Sequence, residues 1–339
     1  MIEISHLVKK YGDHIAVNAL SLTVEPGKIY GFLGPNGAGK STTMNIITGY
    51  LGATSGEVKI NGFDIFAQPE EAKKCVGYLP EIPPLYMDMT VREYLNFVAE
   101  LKKIEKSHKN EYVEEAMETT GITAQQSRLI RNLSKGYRQR VGFAQAVLGY
   151  PEIIILDEPT VGLDPKQIIE IRDLIKELGK NHTVILSSHI LSEISAVCDH
   201  IFIISKGKLV ASDSTENLMK QMSGAQEIEL LVKGDNDIVQ EALTRITEVE
   251  KCIPLEQKDE ESVHLNLIAK PGMDIREQVF AACVDHGFVI LQMNPISKSL
   301  EDVFLELTEK ESTQKEVLPE KKIHFGKPHF GKGSKEETE

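Results

Sequence analysis

One eight-residue stretch of the sequence has the residue types needed to bind phosphate. It reads Gly34-Pro35-Asn36-Gly37-Ala38-Gly39-Lys40-Ser41, and a helical pattern follows from Thr42. The glycines let backbone N–H groups turn inward, the helix adds its positive dipole end, and Lys40 neutralises the β- and γ-phosphates. Ser41 is then placed to hold Mg²⁺. By chance the four fixed positions coincide only roughly 0.01 times in a chain this long, so we predict a phosphate-binding loop.

Two carboxylates lie where another strand is predicted to end. Residues 153–156 (Ile-Ile-Ile-Leu) are apolar on both faces, as a central parallel strand is, and Asp157 and Glu158 follow directly. Ligands bind at this edge of parallel sheets. We therefore expect Asp157 to hold Mg²⁺ through water and Glu158 to act as general base for an attacking water. The alternative is a solvated strand end.

A histidine follows the next buried strand. The apolar run of residues 183–186 leads into Ser187, Ser188 and His189. A lone histidine is usually structural, but this one is expected at the same sheet edge as the two carboxylates. A contact with the γ-phosphate is therefore plausible.

Two further positions could touch a nucleotide. Ser134 is predicted to cap an apolar helix that has Gly136 in its first turn, which makes a second anion-binding helix end in the chain. Tyr11 is predicted in the turn between the first two strands, where its ring could stack on adenine. An ordinary turn tyrosine is the alternative reading of Tyr11.

Composition limits the class of protein. The chain has 339 residues, 41% of them hydrophobic, and a net charge of −13, so two soluble domains and a tail are expected. No apolar run approaches the roughly 18 to 20 residues that cross a bilayer, which predicts a cytoplasmic chain. The acidic balance argues against a general nucleic-acid binder. The four cysteines lack paired spacing and are expected to be reduced thiols.

The elements around these motifs suggest an α/β core with insertions. Apolar and polar residues alternate over residues 1–33, which predicts strands of an antiparallel β-layer. The pattern from about residue 85 to 149 predicts a helical subdomain. A capping box at Thr90 and Glu93 is expected to open a helix there. Its apolar positions are Tyr94, Leu95, Phe97, Val98, Leu101 and Ile104. The first domain is predicted to span residues 1–220.

The pattern changes after residue 220. Residues 221–310 predict the order β-α-β-β-α-β, which indicates a small α+β, ferredoxin-like accessory or regulatory domain. A last amphipathic helix is expected over about 298–309. Residues 311–339 are polar, contain a His-Phe-Gly-Lys repeat, and are predicted to be a disordered tail.

Taken in order, these motifs resemble the nucleotide-binding domain of ATP-binding cassette (ABC) transporters over roughly residues 1–220. The resemblance implies a P-loop NTPase fold of the ABC type that binds ATP and Mg²⁺. It matches residues 34–41 to the Walker A loop, with Thr42 beside it as a further nucleotide-binding candidate. The other positions match family roles as follows: Tyr11 to adenine stacking, Asp157 to the Walker B metal residue, Glu158 to the catalytic glutamate, Asp164 to the loop that couples two sites, and His189 to the switch histidine.

Two departures from the family pattern stand out. The signature, normally L-S-G-G-Q, keeps Ser134 and Gly136, while Lys135 and Tyr137 replace a glycine and a glutamine. Glu81 stands where the family usually has glutamine, at the joint between the core and the helical subdomain. By this resemblance Glu81 is a candidate for the contacts with Mg²⁺ and with the attacking water.

The resemblance also implies partners. Two ATP-binding chains, identical or different, would close head to tail around two ATP molecules and drive a separate transmembrane permease at the inner face of the membrane. The chain would then be the ATPase subunit of a bacterial export system. Two alternatives stay open from the sequence: a soluble ABC ATPase acting on ribosomes or DNA, and a P-loop kinase or GTPase.

Overall fold

In this computed structural model, the described residues are 1–222, 227–256, 262–270 and 273–296. The predicted helix over 298–309 and the polar tail lie outside these ranges. In the first 222 residues, strands and helices alternate. The strands are β1 (Ile2–Tyr11), β2 (His14–Val24), β3 (Ile29–Leu33), β4 (Ser55–Ile60), β5 (Phe63–Asp64), β6 (Val76–Leu79), β7 (Ile153–Asp157), β8 (Thr183–Ser188), β9 (His200–Ser205) and β10 (Lys208–Ser214).

Eight α-helices connect these strands. They are α1 (Lys40–Ile47), α2 (Pro69–Lys74), α3 (Val91–Leu101), α4 (Lys106–Thr119), α5 (Lys135–Val147), α6 (Pro165–Gly179), α7 (Leu191–Ser195) and α8 (Thr215–Met222). The predicted capping box is confirmed, because the Thr90 and Glu93 side chains each bond the other residue's backbone N–H. None of the helices in the described ranges is both long and apolar enough to cross a membrane.

The centre of residues 1–222 is a six-stranded sheet in the order β10-β9-β3-β8-β7-β6. Strands β9, β3, β8, β7 and β6 run parallel, and β10 adds an antiparallel edge. Since parallel strands share one carboxyl edge, β3, β7 and β8 deliver their following residues to one place. The predicted antiparallel layer is a second sheet, in the order β2-β1-β4-β5.

Both faces of the parallel sheet are buried, which explains the continuous apolar runs in its strands. On β7, Ile153 and Ile155 face the core shared with α1, α2 and the antiparallel sheet, whereas Ile154 and Leu156 face the core shared with helices α3 to α8. Strands of this kind cannot shift register without exposing apolar side chains. The ends of the strands are therefore fixed in position.

The described residues after 226 form a separate antiparallel sheet. Its elements are β11 (Glu227–Lys233), α9 (Asn236–Thr244), β12 (Val249–Pro254), β13 (Ser262–Ala269), α10 (Arg276–Asp285) and β14 (Val289–Ile296). The strand order is β12-β13-β11-β14. Alternate residues of β11 and β13 pack with α9 and α10 in a core of their own.

The structure corrects some details of the sequence prediction. Tyr11 is the last residue of β1, paired with His14, rather than part of the turn. The helix expected to extend through Ile104 ends at Leu101, whose side chain is 66% exposed. The α3 face that packs inward consists of Val91, Tyr94, Leu95, Val98 and Ala99, so the helical spacing predicted an apolar stripe that is too long.

Burial of the central strands gives a stability prediction. We expect Ile155→Ala to lower the free energy of unfolding by about 2 to 5 kcal/mol, because it leaves a cavity between two packed layers. Ile169→Ala, on an exposed face of α6, is the matched control and is expected to change it by less than about 0.5 kcal/mol. Equal effects in denaturant titrations would contradict this account of the core.

Candidate active site

The phosphate-binding loop joins β3 to α1 in a conformation that requires glycine. Gly37 and Gly39 have φ of +79° and +102°, in the left-handed region, and Gly39 is the N-cap of α1. A Cβ atom on Gly39 would lie 2.4 Å from the Ala16 carbonyl oxygen of β2. The glycines thus supply both the turn and the close approach of the loop to the antiparallel sheet.

The turn between β9 and β10 holds this loop from the other side. Gly207 donates its N–H to the Ala38 carbonyl at 2.9 Å and accepts from the Asn18 N–H at 2.8 Å. The buried Ala38 of the loop is therefore tied through Gly207 to β2. A Cβ on Gly34 would lie 2.4 Å from the Ile204 carbonyl oxygen, so the start of the loop is equally confined. Contacts on both sides therefore hold the loop in position.

Lys40 lies at the centre of the loop. Its side chain is only 5% exposed, and its Nζ donates to the carbonyl oxygens of Gly34 at 2.8 Å and Pro35 at 3.4 Å. The same Nζ is 3.3 Å from the Glu158 Oε1. The lysine from α1 and the carboxylate after β7 thus form a buried ion pair.

Asp157 is held by two hydroxyls. Ser41 donates to Asp157 Oδ1 at 3.2 Å, and Ser187 of the neighbouring strand β8 donates to the same oxygen at 2.5 Å. Burial raises the pKa of Asp157, and the hydrogen bonds from Ser187 and Ser41 act in the opposite direction. A buried carboxylate beside a hydroxyl is the oxygen donor set that Mg²⁺ prefers.

Glu158 has a strained backbone. Its φ is +47°, which is unusual for a residue other than glycine, and its N–H donates to Ser187 Oγ at 2.9 Å. Oε2 of Glu158 is 2.9 Å from His189 Nδ1. The carboxylate is therefore fixed between Lys40 and His189, at the opening of the phosphate loop.

Lys40, Glu158 and His189 line one cavity of about 440 Å³, whereas Asp157 is not among its lining residues. Tyr11 is half-exposed at its rim, and the Lys9 Nζ lies 5.2 Å from the centre of the Tyr11 ring. One ring face is thus engaged by a cation, and the phenol is available at the cavity. The predicted site residues that line this cavity are Tyr11, Asn36, Gly37, Gly39, Lys40, Ser41, Thr42, Glu81, Glu158 and His189.

The signature residues lie elsewhere. Ser134 caps α5 by accepting the Tyr137 N–H, and Asp164 caps α6 by accepting the Gln167 N–H at 2.9 Å. Ser134, Gly136 and Asp164 line a second cavity, of about 420 Å³, which shares no lining residue with the first. Within one chain, therefore, the structure does not bring these three residues to the phosphate loop.

Glu81 is placed by tight packing of α5 on the segment after β6. A Cβ on Gly142 of α5 would lie 2.6 Å from Leu79 and 3.0 Å from Pro83, so no larger residue fits there. Glu81, between them, lines the first cavity and also a groove of about 670 Å³ that includes Tyr78 and Asp157. Glu81 is therefore accessible from both the first cavity and the groove.

Sequence reasoning missed several buried polar residues that support the site. Ser187 bridges Asp157 and Glu158, and Glu193 accepts from Thr160 Oγ1 at 2.6 Å and from Ser188 Oγ at 3.2 Å. Gln139 of α5 donates to the Pro159 carbonyl at 3.0 Å. The sequence signal that could have revealed these residues is the presence of polar side chains next to buried strands, since polar groups are buried only with hydrogen-bond partners.

Comparison with known proteins identifies the family to which this site belongs. Residues 17–161 match the ABC transporter family. The bacitracin transport ATP-binding protein BcrA of Bacillus licheniformis is 36% identical over 311 residues, which cover 91% of this chain and 97% of that protein. The linearmycin resistance ATP-binding protein LnrL of Bacillus subtilis (strain 168) is 29% identical over 91% of this chain and 98% of that protein.

The fold has solved counterparts as well. A bacterial ABC transporter cassette whose structure is dimeric superposes with a TM-score of 0.58 at 25% identity, over 63% of this chain and 99% of that one. The cavity around Lys40 and Glu158 thus lies in the P-loop fold of an ABC cassette. This chain belongs to the ABC transporter family as an ATP-binding subunit, an ATPase coupled to transport.

Proposed function

We propose that two ATP-binding chains, two copies of this chain or this chain and another, close head to tail around two ATP molecules. The proposal rests on the observation that one chain has two helix N-termini suited to anion binding, at Lys40 and at Ser134, in cavities that share no lining residue. A symmetric dimer would place each Ser134 against the partner's phosphate loop. The dimeric structure of a related cassette supports this arrangement.

In this proposal the chain's own residues divide the work of hydrolysis. The backbone of residues 34–42 and Lys40 bind the phosphates, and Tyr11 stacks on the base. The triphosphate gives Lys40 a new anionic partner, which leaves the Glu158 carboxylate to take a proton from the attacking water. His189 holds the Glu158 carboxylate in place through the 2.9 Å contact and lies where it can reach the γ-phosphate.

We also propose a Mg²⁺ site at the border between the first cavity and the neighbouring groove. Ser41 and Asp157 would hold the ion, with Glu81 close to its water shell, because their oxygens suit Mg²⁺, Ser41 and Glu81 line both spaces, and Asp157 lines the groove. The bound ion would neutralise charge on the phosphates. Among the described residues, no group of three histidine, cysteine or acidic side chains forms another metal site.

A permease is expected to dock at the groove that Glu81 shares with the first cavity. Tyr50 and Ile82 on its walls are 83% and 82% exposed, which is unusual for large apolar side chains. A membrane subunit seated there would contact Glu81 directly, hold the chain at the inner face of the membrane and receive the motion of the closing dimer.

Export is the direction that we propose. BcrA is named for bacitracin transport and LnrL for linearmycin resistance, and resistance by transport requires outward movement. The transported molecule would be chosen by the permease, since the cavities described here are those of a nucleotide site. The relatives give no support to action on ribosomes or DNA.

The domain boundaries are part of the same proposal. Residues 1–220 would form the ATP-binding domain with its helical subdomain at about 85–149, and residues 221–310 a ferredoxin-like accessory domain. The antiparallel order β12-β13-β11-β14, with α9 and α10 packed on it, supports the second assignment.

Glu158→Gln tests the catalytic assignment. We expect ATP binding to persist, hydrolysis to fall by at least about 100-fold through loss of the general base, and an ATP-bound dimer to accumulate. ATPase assays and size-exclusion chromatography with and without ATP measure this. Glu177→Gln, an exposed carboxylate on α6, is the control. Parent-rate turnover by Glu158→Gln would refute the role of Glu158.

Ser134→Arg tests the shared site. A bulky cation at the second cavity should block the partner's nucleotide and reduce ATPase activity by at least about 100-fold, while nucleotide still binds at Lys40. Binding of a fluorescent ATP analogue and turnover are measured on the same samples. If binding falls in parallel with activity, the two cavities do not act in different chains.

Asp157→Asn tests the burial of the metal carboxylate. The pKa of Asp157 is higher in the folded protein than in the unfolded chain. Ionisation of Asp157 therefore lowers the free energy of unfolding as the pH rises through the folded pKa, and this loss is present at pH 7. Asparagine keeps the acceptor for Ser41 and Ser187 without the charge. We expect the thermal midpoint at pH 7 without Mg²⁺ to rise by about 2 to 4 °C, with loss of Mg²⁺-dependent hydrolysis. A lower midpoint would contradict this.

A further inference from the structure

Tyr11 lies at the tip of a hairpin, where little of its ring is enclosed. It ends β1, pairs with His14 across a two-residue turn, and is 49% exposed. The ring lines the cavity around Lys40. A half-exposed side chain keeps rotamer freedom, and a base that stacks on it must restrict that freedom at an entropic cost. A contact that orders the ring in advance reduces this cost and raises affinity for the base.

Lys9 makes such a contact from the same strand. Residues two apart on a strand project to the same face, and the Lys9 Nζ lies 5.2 Å from the centre of the Tyr11 ring. The same nitrogen donates to the Gly52 carbonyl at 2.7 Å, and the Lys9 side chain is half-buried. The ammonium is thus held over one face of the ring, which leaves the other face for a base.

The carbonyl that holds Lys9 belongs to a segment tied to β1. Gly52 lies between α1 and β4, and the Thr54 N–H of that segment donates to the Val8 carbonyl at 2.8 Å. The Lys10 N–H of β1 in turn donates to Thr54 Oγ1 at 3.0 Å. These bonds keep the Gly52 carbonyl beside the strand, so Lys9 has a fixed acceptor.

A bulge in the partner strand directs this end of the hairpin to the nucleotide cavity. Lys9 pairs with Val17, and the residue after Lys9 pairs with Ile15. Ala16 is therefore an extra residue of β2, and such bulges bend and twist a strand. Ala16 lines the cavity, and its carbonyl oxygen lies against the phosphate-binding loop. The distortion that joins β2 to this loop thus lies directly opposite Lys9.

A cation on one face of the Tyr11 ring also changes the other face. The faces of an aromatic ring carry negative charge, which opposes direct stacking of a second π-system. The Lys9 ammonium attracts that charge towards its own side. The face turned to the cavity then repels a stacked base less.

We infer that Lys9 is a positioning residue for the nucleobase: its ammonium holds the Tyr11 ring from one face so that the base stacks on the other. The inference rests on the proposed stacking of Tyr11 on adenine. Because Lys9 acts through the ring, it contributes to binding of the base and not to binding of the phosphates or to the chemical step.

The test titrates purified full-length protein calorimetrically with ADP and with inorganic pyrophosphate, which has no base. Lys9→Met keeps a long unbranched side chain without the charge. We expect it to raise the Kd of ADP by about 2- to 5-fold and to leave the Kd of pyrophosphate unchanged. Lys10→Met, at the exposed neighbouring lysine, is the matched control and should retain both parent values. An unchanged Kd of ADP, or equal weakening of both ligands, overturns the inference.

Two further variants show whether the charge acts through the ring. Lys9→Arg keeps a cation that can lie over an aromatic face, so its Kd of ADP should stay within about 2-fold of the parent value. In a Tyr11→Leu background, Lys9→Met should cause no further loss. A loss in Lys9→Arg as large as in Lys9→Met, or additive losses with Tyr11→Leu, overturns the inference.

Steady-state turnover gives an independent readout. Stacking of the base is the same in the ground state and the transition state, so Lys9→Met should raise KM for ATP and leave kcat unchanged. A fall in kcat at unchanged KM overturns the assignment to base binding.

Tyr11→Leu separates this inference from the proposed function. If Tyr11→Leu binds ADP as tightly as the parent, the proposed stacking itself fails. If Tyr11→Leu binds ADP more weakly while Lys9→Met does not, the role of Lys9 alone is wrong.

Discussion

The buried ion pair between Lys40 and Glu158 is the interaction around which the ATP-binding domain is arranged. The two charged groups are 3.3 Å apart on side chains that are 5% and 9% exposed. Charges removed from water cost several kcal/mol each unless they are paired and hydrogen-bonded. Lys40 therefore also uses the Gly34 carbonyl, and Glu158 uses His189, so that each charge has a second partner.

Holding that pair requires three chain segments to end at one edge of the sheet. Strand β3 leads into Lys40, β7 into Glu158 and β8 into His189, and the three strands are neighbours or next neighbours in the parallel sheet. Their two apolar faces are enclosed by separate cores, which fixes their register. The strain in the Glu158 backbone is sustained by this surrounding packing and by the Ser187 hydroxyl.

Much of this could be predicted from sequence because the signals are local. The glycine spacing of residues 34–41, the apolar run before Asp157 and the alternation after residue 226 each report a backbone conformation or a burial pattern directly. The extent of α3 was predicted less well, since Leu101 continues the helical spacing although it faces solvent. The spacing of apolar residues predicts which face of a helix is buried. Where burial of that face ends depends on the elements that pack against the helix.

By itself, the sequence determined the phosphate loop, the carboxylates at a strand end, the capped start of α5 and the split β-α-β-β-α-β order, since each depends on adjacent residues. Only the tertiary structure decided which of these groups meet. It paired Lys40 with Glu158 and Ser187 with Asp157, and it placed Ser134 in a cavity separate from the one around Lys40. The physical reason is that such contacts join residues far apart in the chain, and their geometry depends on how the two cores pack around one sheet.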